Sequence, residues 1–335
     1  MRSTDVWCLG EALVDAISSQ PGAGFEDVPQ WAHHLGGAPA NTAVALSNLG
    51  IGCGLLGCVG TDAFGAQLRS ELESRGVNVV GTKQVPKATR IAYVLLDEKG
   101  DRQFHHFTTD CADEQFGVGH LPENFPGQDA FILHFGSIPL IQEPSASTTR
   151  YAIERARKRN VLISYDPNVR LALWLSEEVC RDTILSTLQL GDIVKLSRPE
   201  LRFLTGDNHT PEEQLASDFW QKHQMPLLLV TLDADGAIVV NQFGTLSVPG
   251  FQVDAVDSTG AGDAFNAGLI SGLMGLFTHH ENFGRSLGDI LRNIALPHLQ
   301  TIIRRANAVG ALACTKPGAW SALPTAAEWE AFLSR

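Results

Sequence analysis

Between residues 130 and 240, short apolar runs alternate with stretches of helical spacing, and that alternation restricts the chain to a small set of folds. The apolar runs lie at 130–135, 161–165, 193–196, 227–232 and 237–240, and the helical patterns at about 145–159, 176–190, 198–205 and 211–223. Strand–helix alternation of this kind implies parallel βαβ units. The predicted fold is therefore α/β: a doubly wound, mostly parallel sheet with helices on both faces. In such a sheet ligands bind beyond the carboxyl ends of the strands, and the polar clusters fall there. Asp166-Pro-Asn168-Val-Arg170, Lys195-Leu-Ser197-Arg-Pro-Glu200 and Thr231-Leu-Asp233-Ala-Asp235-Gly236 each follow a strand. Taken singly, each is also a good turn or cap sequence, Ser197 with Glu200 being placed for a capping box. Together they line one sheet edge with hydrogen-bonding groups that a purely structural sheet does not need.

The N-terminal part reads in the same way. Residues 6–9 form a short strand running into Gly10-Glu11, and residues 12–17 form a second strand carrying Asp15. Leu35 to Asn41 is a Gly-rich turn, followed by a helix marked by Ala43, Val44, Leu46 and Leu49 and a strand over 51–59. Within that strand Gly52-Cys-Gly54-Leu-Leu-Gly57 matches G-x-G-x-x-G, but a dinucleotide turn must follow a strand and open a helix, so the match is discarded. No G-x-x-x-x-G-K-[ST] is present. Residues 88–110 alternate around a charged turn and read as a β-hairpin.

At 335 residues, 44% hydrophobic and 19% charged, the chain suffices for one large α/β domain with an appendage, or for two domains. A formal charge of −12 without a Lys/Arg cluster argues against a nucleic-acid partner. No apolar run approaches the roughly 18 residues of a membrane span, and the N-terminus lacks a signal-peptide layout. A cytoplasmic protein without a membrane partner is expected. The six cysteines contain no C-x-x-C pair and read as reduced core residues. Three adjacent His pairs are poorly disposed to share one metal.

Asp257-Ser-Thr259-Gly260-Ala261-Gly262-Asp263-Ala-Phe265 packs two glycines and an acidic residue against the start of an apolar helical pattern. The first N–H groups of a helix lack intrahelical partners and carry the positive end of its dipole, so Gly260 to Gly262 can hold negative charge on a transferred phosphoryl group. A carboxylate beside that anion needs a task, and accepting the proton of an attacking hydroxyl is the natural one. The alternative is a glycine turn with an Asp that the dipole alone favours. Local physics leaves both open.

The whole chain then resembles the ribokinase-like, or PfkB, family of carbohydrate kinases. Gly36-Gly37-Ala-Pro-Ala-Asn41 through Gly60-Thr-Asp-Ala-Phe-Gly65 is similar to the family's first signature, and the segment 257–265 to its second. Gly10-Glu11-Ala-Leu-Val-Asp15, His134-Phe-Gly-Ser-Ile138, the segment 164–174 and Val253 to Asp257 most resemble fructokinases. The resemblance implies one kinase unit over 1–335, with a core of about 1–11, 36–87 and 112–335. A small β-sheet lid would comprise about 12–35 and 88–111 and exclude water.

The resemblance also implies residue roles. Asp263 would be the base, with Gly260, Ala261 and Gly262 as anion hole. Asp15, Gly36, Gly37 and Asn41 would hold the sugar, extended by Asn168 and Arg170. Lys195, Ser197, Glu200, Thr231, Asp233, Gly236, Gly260, Gly262 and Asn307 would serve ATP, Glu200 acting on Mg²⁺ through water. Many relatives have Asn at the position of Ser197. Asp257 and Thr259, with carbonyls of Ala313, Lys316 and Gly318, match the family's potassium site. Relatives often dimerise through the lid, so a homodimer is a further expectation.

The expected reaction is transfer from ATP to a primary hydroxyl of fructose. The same chemistry on 2-keto-3-deoxygluconate, ribose or aminoimidazole riboside is the alternative, with Arg90, Arg102 and Arg170 available for an acidic sugar. A non-catalytic sugar-binding relative is a third reading. Residues 277–290 read as a surface excursion between two helices.

Overall fold

The computed structural model describes residues 3–98, 102–277 and 286–334. In chain order the strands are β1 (Val6–Leu9), β2 (Leu13–Ser18), β3 (Trp31–Gly36), β4 (Cys53–Gly60), β5 (Thr82–Val85), β6 (Ile91–Leu96) and β7 (Arg102–Phe107). They continue as β8 (Ile132–Phe135), β9 (Leu162–Tyr165), β10 (Ile193–Ser197), β11 (Leu227–Thr231), β12 (Gly236–Asn241) and β13 (Gly244–Pro249). The helices are α1 (Ala38–Asn48), α2 (Ala63–Ser74), α3 (Ser145–Arg157), α4 (Glu177–Thr187) and α5 (Arg198–Thr205). They continue as α6 (Glu212–His223), α7 (Ala261–Phe277), α8 (Leu287–Arg292), α9 (Leu296–Ala313) and α10 (Ala326–Leu333).

Nine strands form one sheet in the order β13-β12-β11-β10-β9-β8-β1-β4-β5. It is parallel from β5 to β11, and β12 and β13 are added antiparallel. The strands are apolar on both sides because both sides are covered: Val6 and Cys8 of β1 enter one core, Trp7 and Leu9 the other. The doubly wound architecture is as expected from the alternation. The edge strands β5 and β13 were not foreseen, since Thr82–Val85 and Gly244–Pro249 are short and partly exposed.

The G-x-G-x-x-G stretch lies inside β4, and its glycines serve packing. A Cβ on Gly54 would fall 2.4 Å from the Trp7 ring, and one on Gly57 2.3 Å from the Gly10 carbonyl. The turn expected over 35–41 is shorter than the sequence suggested. β3 runs to Gly36 and α1 starts at Ala38, so Gly37 alone makes the reversal at φ 102°. A Cβ there would sit 2.5 Å from the Glu11 carbonyl, so both conformation and space demand glycine.

A second sheet, β3-β2-β6-β7, stands apart from the first. β2 pairs antiparallel with β3 and parallel with β6, and β6–β7 is the expected hairpin. One face carries its own small apolar cluster of Leu13, Ala92 and Phe107, against which Leu173 packs. On the other, Phe25 packs against Trp31, Tyr93 and His105 with ring centroids 5.4, 5.4 and 5.0 Å away. The excursion expected over 277–290 falls largely on residues 278–285, outside the described residues; α7 ends before it, and α8 begins at Leu287, just before the expected helix start at Ile290.

Helix α7 packs along α9, and glycine makes the approach possible. A Cβ on Gly268 would lie 2.8 Å from Ala306 Cα and 2.9 Å from Val309 Cγ2. Gly→Ala inside a helix ordinarily stabilises by up to about 1 kcal/mol. At Gly268 the overlap with backbone reverses the sign: Gly268→Ala is expected to destabilise by about 1–3 kcal/mol, read as a lowered Tm.

Candidate active site

Helix α7 opens at Ala261 directly after Gly260, which takes φ 77°, and places Asp263 in its first turn. Asp263 is buried, and its Oδ2 accepts from Asn41 Nδ2 at 2.7 Å. Asn41 comes from the first turns of α1, and its Oδ1 accepts from Trp320 Nε1 at 2.8 Å. The indole thus fixes which end of the amide faces the carboxylate. Burial pushes the Asp263 carboxyl up to about 6; the Asn41 bond and the charges of Lys195 and Arg170 work against this, while Asp166 adds to it.

Asp166, at the end of β9, accepts on one oxygen from Lys195 Nζ at 2.9 Å and from Asn266 Nδ2 at 2.7 Å. Burial disfavours a charged Lys195, but Asp166, Glu200 and Asp263 outweigh it and hold the ammonium above its ordinary range. A Cβ on Gly262 would lie 3.1 Å from Lys195 Nζ, so the ammonium reaches the Gly turn itself. The glycine there leaves room for it.

Two cavities meet at this turn. One, of about 260 Å³, lies between the small sheet and the main one and is lined by Asp15, Gly37, Asn41, Asn168, Arg170 and Lys195, with Asp263 in its wall. The other, of about 330 Å³, is more apolar, with Phe251, Val253, Phe265 and Ala311 in its lining beside Thr231, Asp233, Gly236 and Asn307. Ser258 and Gly262 line both. One cavity thus presents hydrogen-bonding groups suited to a polyol, the other apolar surface suited to a flat ring, and a helix N-terminus divides them.

Most expected residues lie in one of these cavities. Gly36 lies behind Asp15, where a Cβ would meet Asp15 Oδ2 at 2.6 Å. Burial also raises the Asp15 carboxyl to about 6 although Arg102 and Arg170 oppose it. Asn307 donates to the carbonyls of Val248 and Pro249 at 3.2 and 3.1 Å, so its amide holds the end of β13.

Ser197 and Glu200 line neither cavity. They form the capping box of α5: Glu200 Oε2 accepts from Ser197 N at 2.7 Å and from Ser197 Oγ at 2.8 Å. Glu200 Oε1 accepts from Val169 N at 2.7 Å, tying the 166–170 loop to α5. Asp257 receives four donors: Arg102 Nη2 and Gly318 N on Oδ2, Thr259 N and Oγ1 on Oδ1. A carboxylate offers about four lone-pair sites, so the residues as arranged do not fit a cation at Asp257 unless a donor moves. Lys316 Nζ pairs with Glu328, and Ala313 closes α9. Among the described residues no group of three His, Cys, Asp or Glu side chains could hold a metal.

Three residues of this site were not singled out from sequence. Asn266 sits three positions after Asp263 on the same helix face, so helical spacing carried that signal. Trp320 carried none. Glu11 is buried beside the sugar-sized cavity, where Oε1 accepts from Ala38 N at 3.0 Å and Oε2 has no partner. Glu11 also borders a small, partly open space of about 10 Å³ shared with Asp113 and Glu114, about the room of one water.

The pfkB family carbohydrate kinase profile matches residues 3–326. The chain belongs to that family. It is an ATP-dependent sugar kinase. Fructokinase-1 of Oryza sativa subsp. japonica is 37% identical over 328 residues, 98% of this chain and 97% of that protein. The fructokinase of Xylella fastidiosa, solved with bound ATP, superposes at a TM-score of 0.83 with 32% identity over 99% of both chains. That of Vibrio cholerae O395, solved with fructose, ADP and calcium ion, gives 0.81 and 32% over 98% of this chain and 99% of that one. Aminoimidazole riboside kinase from Salmonella enterica, complexed with aminoimidazole riboside and an ATP analogue, gives 0.78 and 28% over 98% of this chain and 99% of that one. No helix among the described residues is long and apolar enough to cross a membrane.

Burial pushes the Glu11 carboxyl up to about 7, with Asp113 and Asp263 adding to it and the N–H bonds opposing. A carboxyl whose pKa is higher folded than unfolded favours the fold at low pH and loses that contribution as pH rises, here from about 4.5 to about 7. Glu11→Gln keeps an acceptor for Ala38 and removes the charge. The variant is expected to gain stability relative to the native chain across that window, by up to about 3 kcal/mol above pH 7, measured by denaturant unfolding at pH 5 and 8.

Proposed function

We propose that this kinase phosphorylates fructose at its primary hydroxyl to give fructose 6-phosphate, with Asp263 as general base. The observation that carries the reading is the position of the Asp263 carboxylate, in the wall of the polar cavity and one residue after the glycine that both cavities share. Asp263 takes the proton of the sugar hydroxyl as the hydroxyl oxygen attacks the γ-phosphorus and the bond to the leaving ADP oxygen breaks. The amides of Gly260, Ala261 and Gly262 face the charge on the transferred group; that of Ala261 is engaged by the Ser258 carbonyl at a long 3.2 Å, a bond an anion can replace. Lys195 adds a positive charge at Gly262. Mg²⁺, when bound with the nucleotide, neutralises phosphate charge and keeps several waters, so it asks few ligands of the protein. Glu200 would reach it through water. Potassium is assigned no step.

The small sheet, in this reading, is the lid over the sugar. Its β2 supplies Asp15, and its β7 brings Phe104 and Phe107 to the rim. A neutral sugar is favoured over 2-keto-3-deoxygluconate by the state of the three arginines that could meet a carboxylate. Arg90 is spent on Asp113 and Glu114, and Arg102 on Asp257. Arg170 donates to the Val169 carbonyl at 3.0 Å and lies 4.6 Å over the Phe104 ring. Asp15 and Asn41 present an acceptor and an amide to hydroxyl groups, and a site so built rejects analogues that leave them unpaired.

Asp263→Asn is expected to lower kcat by about 10²–10⁴-fold with nucleotide binding retained, and an active variant would overturn the assignment. Because the base must be ionised, kcat/KM should rise with pH through about 6 and level above it, with Asp15 contributing to the same limb. Steady-state kcat/KM for fructose, ribose, 2-keto-3-deoxygluconate and aminoimidazole riboside decides the acceptor; fructose is expected to lead. Failure to consume ATP with any of them would indicate a non-catalytic relative.

A further inference from the structure

The small sheet is rooted in the main core through Val14, Leu35 and Ile91, with His33 beside Phe64, and its β7 reaches over the cavity from that base. Among the described residues, its inward apolar cluster takes in Leu173 from outside the sheet. Two polar contacts frame it, both from β7. Phe104 lies under the Arg170 guanidinium, and Arg102 Nη2 meets Asp257 Oδ2 at 2.5 Å. The Asp257 side chain is 6% exposed and that of Arg102 22%, so this pair is largely out of water. Asp257 spends its other oxygen on the N–H and hydroxyl of Thr259, the residue before Gly260, and also receives Gly318 N–H at 2.7 Å. One carboxylate therefore joins a strand of the small sheet, the C-terminal loop and the turn that opens α7.

We infer that Arg102 is a positioning residue for phosphoryl transfer: by clasping Asp257 it makes seating of the small sheet and shaping of the Gly260–Gly262 turn a single event. The inference rests on the reading of Asp263 as base and of the small sheet as cover. Its physical content is that the sheet cannot lift from the cavity without releasing the carboxylate that holds Thr259. Without the clasp the cavity opens to water, which competes with the sugar hydroxyl as acceptor, giving ADP and inorganic phosphate in place of sugar phosphate. Arg is suited to this because its planar fork stays charged and holds a carboxylate in one orientation, which an ammonium does less well.

The test uses the full-length enzyme as Arg102→Gln, Arg102→Lys, Asp257→Asn and the Gln/Asn double variant. ADP and fructose 6-phosphate are measured in parallel, and amide hydrogen exchange is followed over 102–107 in the ligand-free protein. Arg102→Gln is expected to raise KM for fructose about tenfold or more, to push the ratio of ADP to sugar phosphate above one, and to speed exchange in β7. Arg102→Lys should recover part of all three. The double variant should be no worse than the worse single one, since both remove the same contact. Coupled turnover with unchanged exchange in Arg102→Gln, or additive losses in the double variant, would overturn the clasp. If the native enzyme does not phosphorylate fructose, the functional reading fails while the exchange measurement still decides the clasp.

Discussion

A carboxylate kept out of water at the positive end of a helix is the constraint on which the rest of this structure turns. Asp263 is buried beside a second buried carboxylate, Asp166, and two negative charges in one apolar setting are tolerated only if donors and cations are brought to them. Each comes from a different part of the chain. Asn41 arrives on α1, oriented by Trp320 from the C-terminal loop, Lys195 on β10, and Asn266 one turn along α7. The charge on Asp263 is thus supported by elements separated by more than two hundred residues, and its raised pKa of about 6 records how far that support offsets burial. A carboxylate of this kind is buried yet ionised near neutral pH, the state that the proposed abstraction of a proton from an alcohol requires.

The fold supplies that arrangement through close backbone approach. Gly268 and Gly272 let α7 lie against α9, Gly37 lets α1 start hard against the chain after β1, and Gly57 lets β4 pass the Gly10 carbonyl. Side chains at these points would push apart the elements that carry Asp263 and Asn41. The parallel strands bring the Asp166 loop, Lys195 and Thr231 to one edge because every crossover returns the chain in the same direction. The cavity toward the small sheet is polar and the one toward β13 more apolar, so the two offer different surfaces on either side of the glycine turn.

Much of this was legible in the residues. The alternation over 130–240 carried the doubly wound sheet because strands buried on both faces must be apolar throughout, and the boundaries of α5 matched because Ser197, Pro199 and Glu200 spell a helix start. At three points the local reading is incomplete. A capping box satisfies Ser197 and Glu200 with each other and with Val169, so these two residues hold a loop in place instead of lining a cavity. Asp257 was read through its resemblance to a cation ligand, while the structure gives its carboxylate four protein donors. The turn over 35–41 was overestimated because Gly36-Gly37 and Pro39 read as loop, whereas Gly36 ends β3 and Pro39 sits in the first turn of α1, where its missing N–H is harmless.

By itself, the order of residues determined what depends on neighbours along the chain: the apolar periods, the caps, the glycine turn before Asp263 and the helix that follows it. These are set within a few residues, where backbone sterics and local hydrogen bonds act. Only the tertiary structure decided which groups meet: that Trp320 orients Asn41, that Lys195 reaches Gly262, that Arg102 crosses from the small sheet to Asp257, and that Glu11 keeps a buried oxygen without a partner. Those contacts depend on distances between elements far apart in sequence, and no local preference encodes a distance of that kind. The glycine turn is set by its own few residues, and the fold around it determines which groups face it.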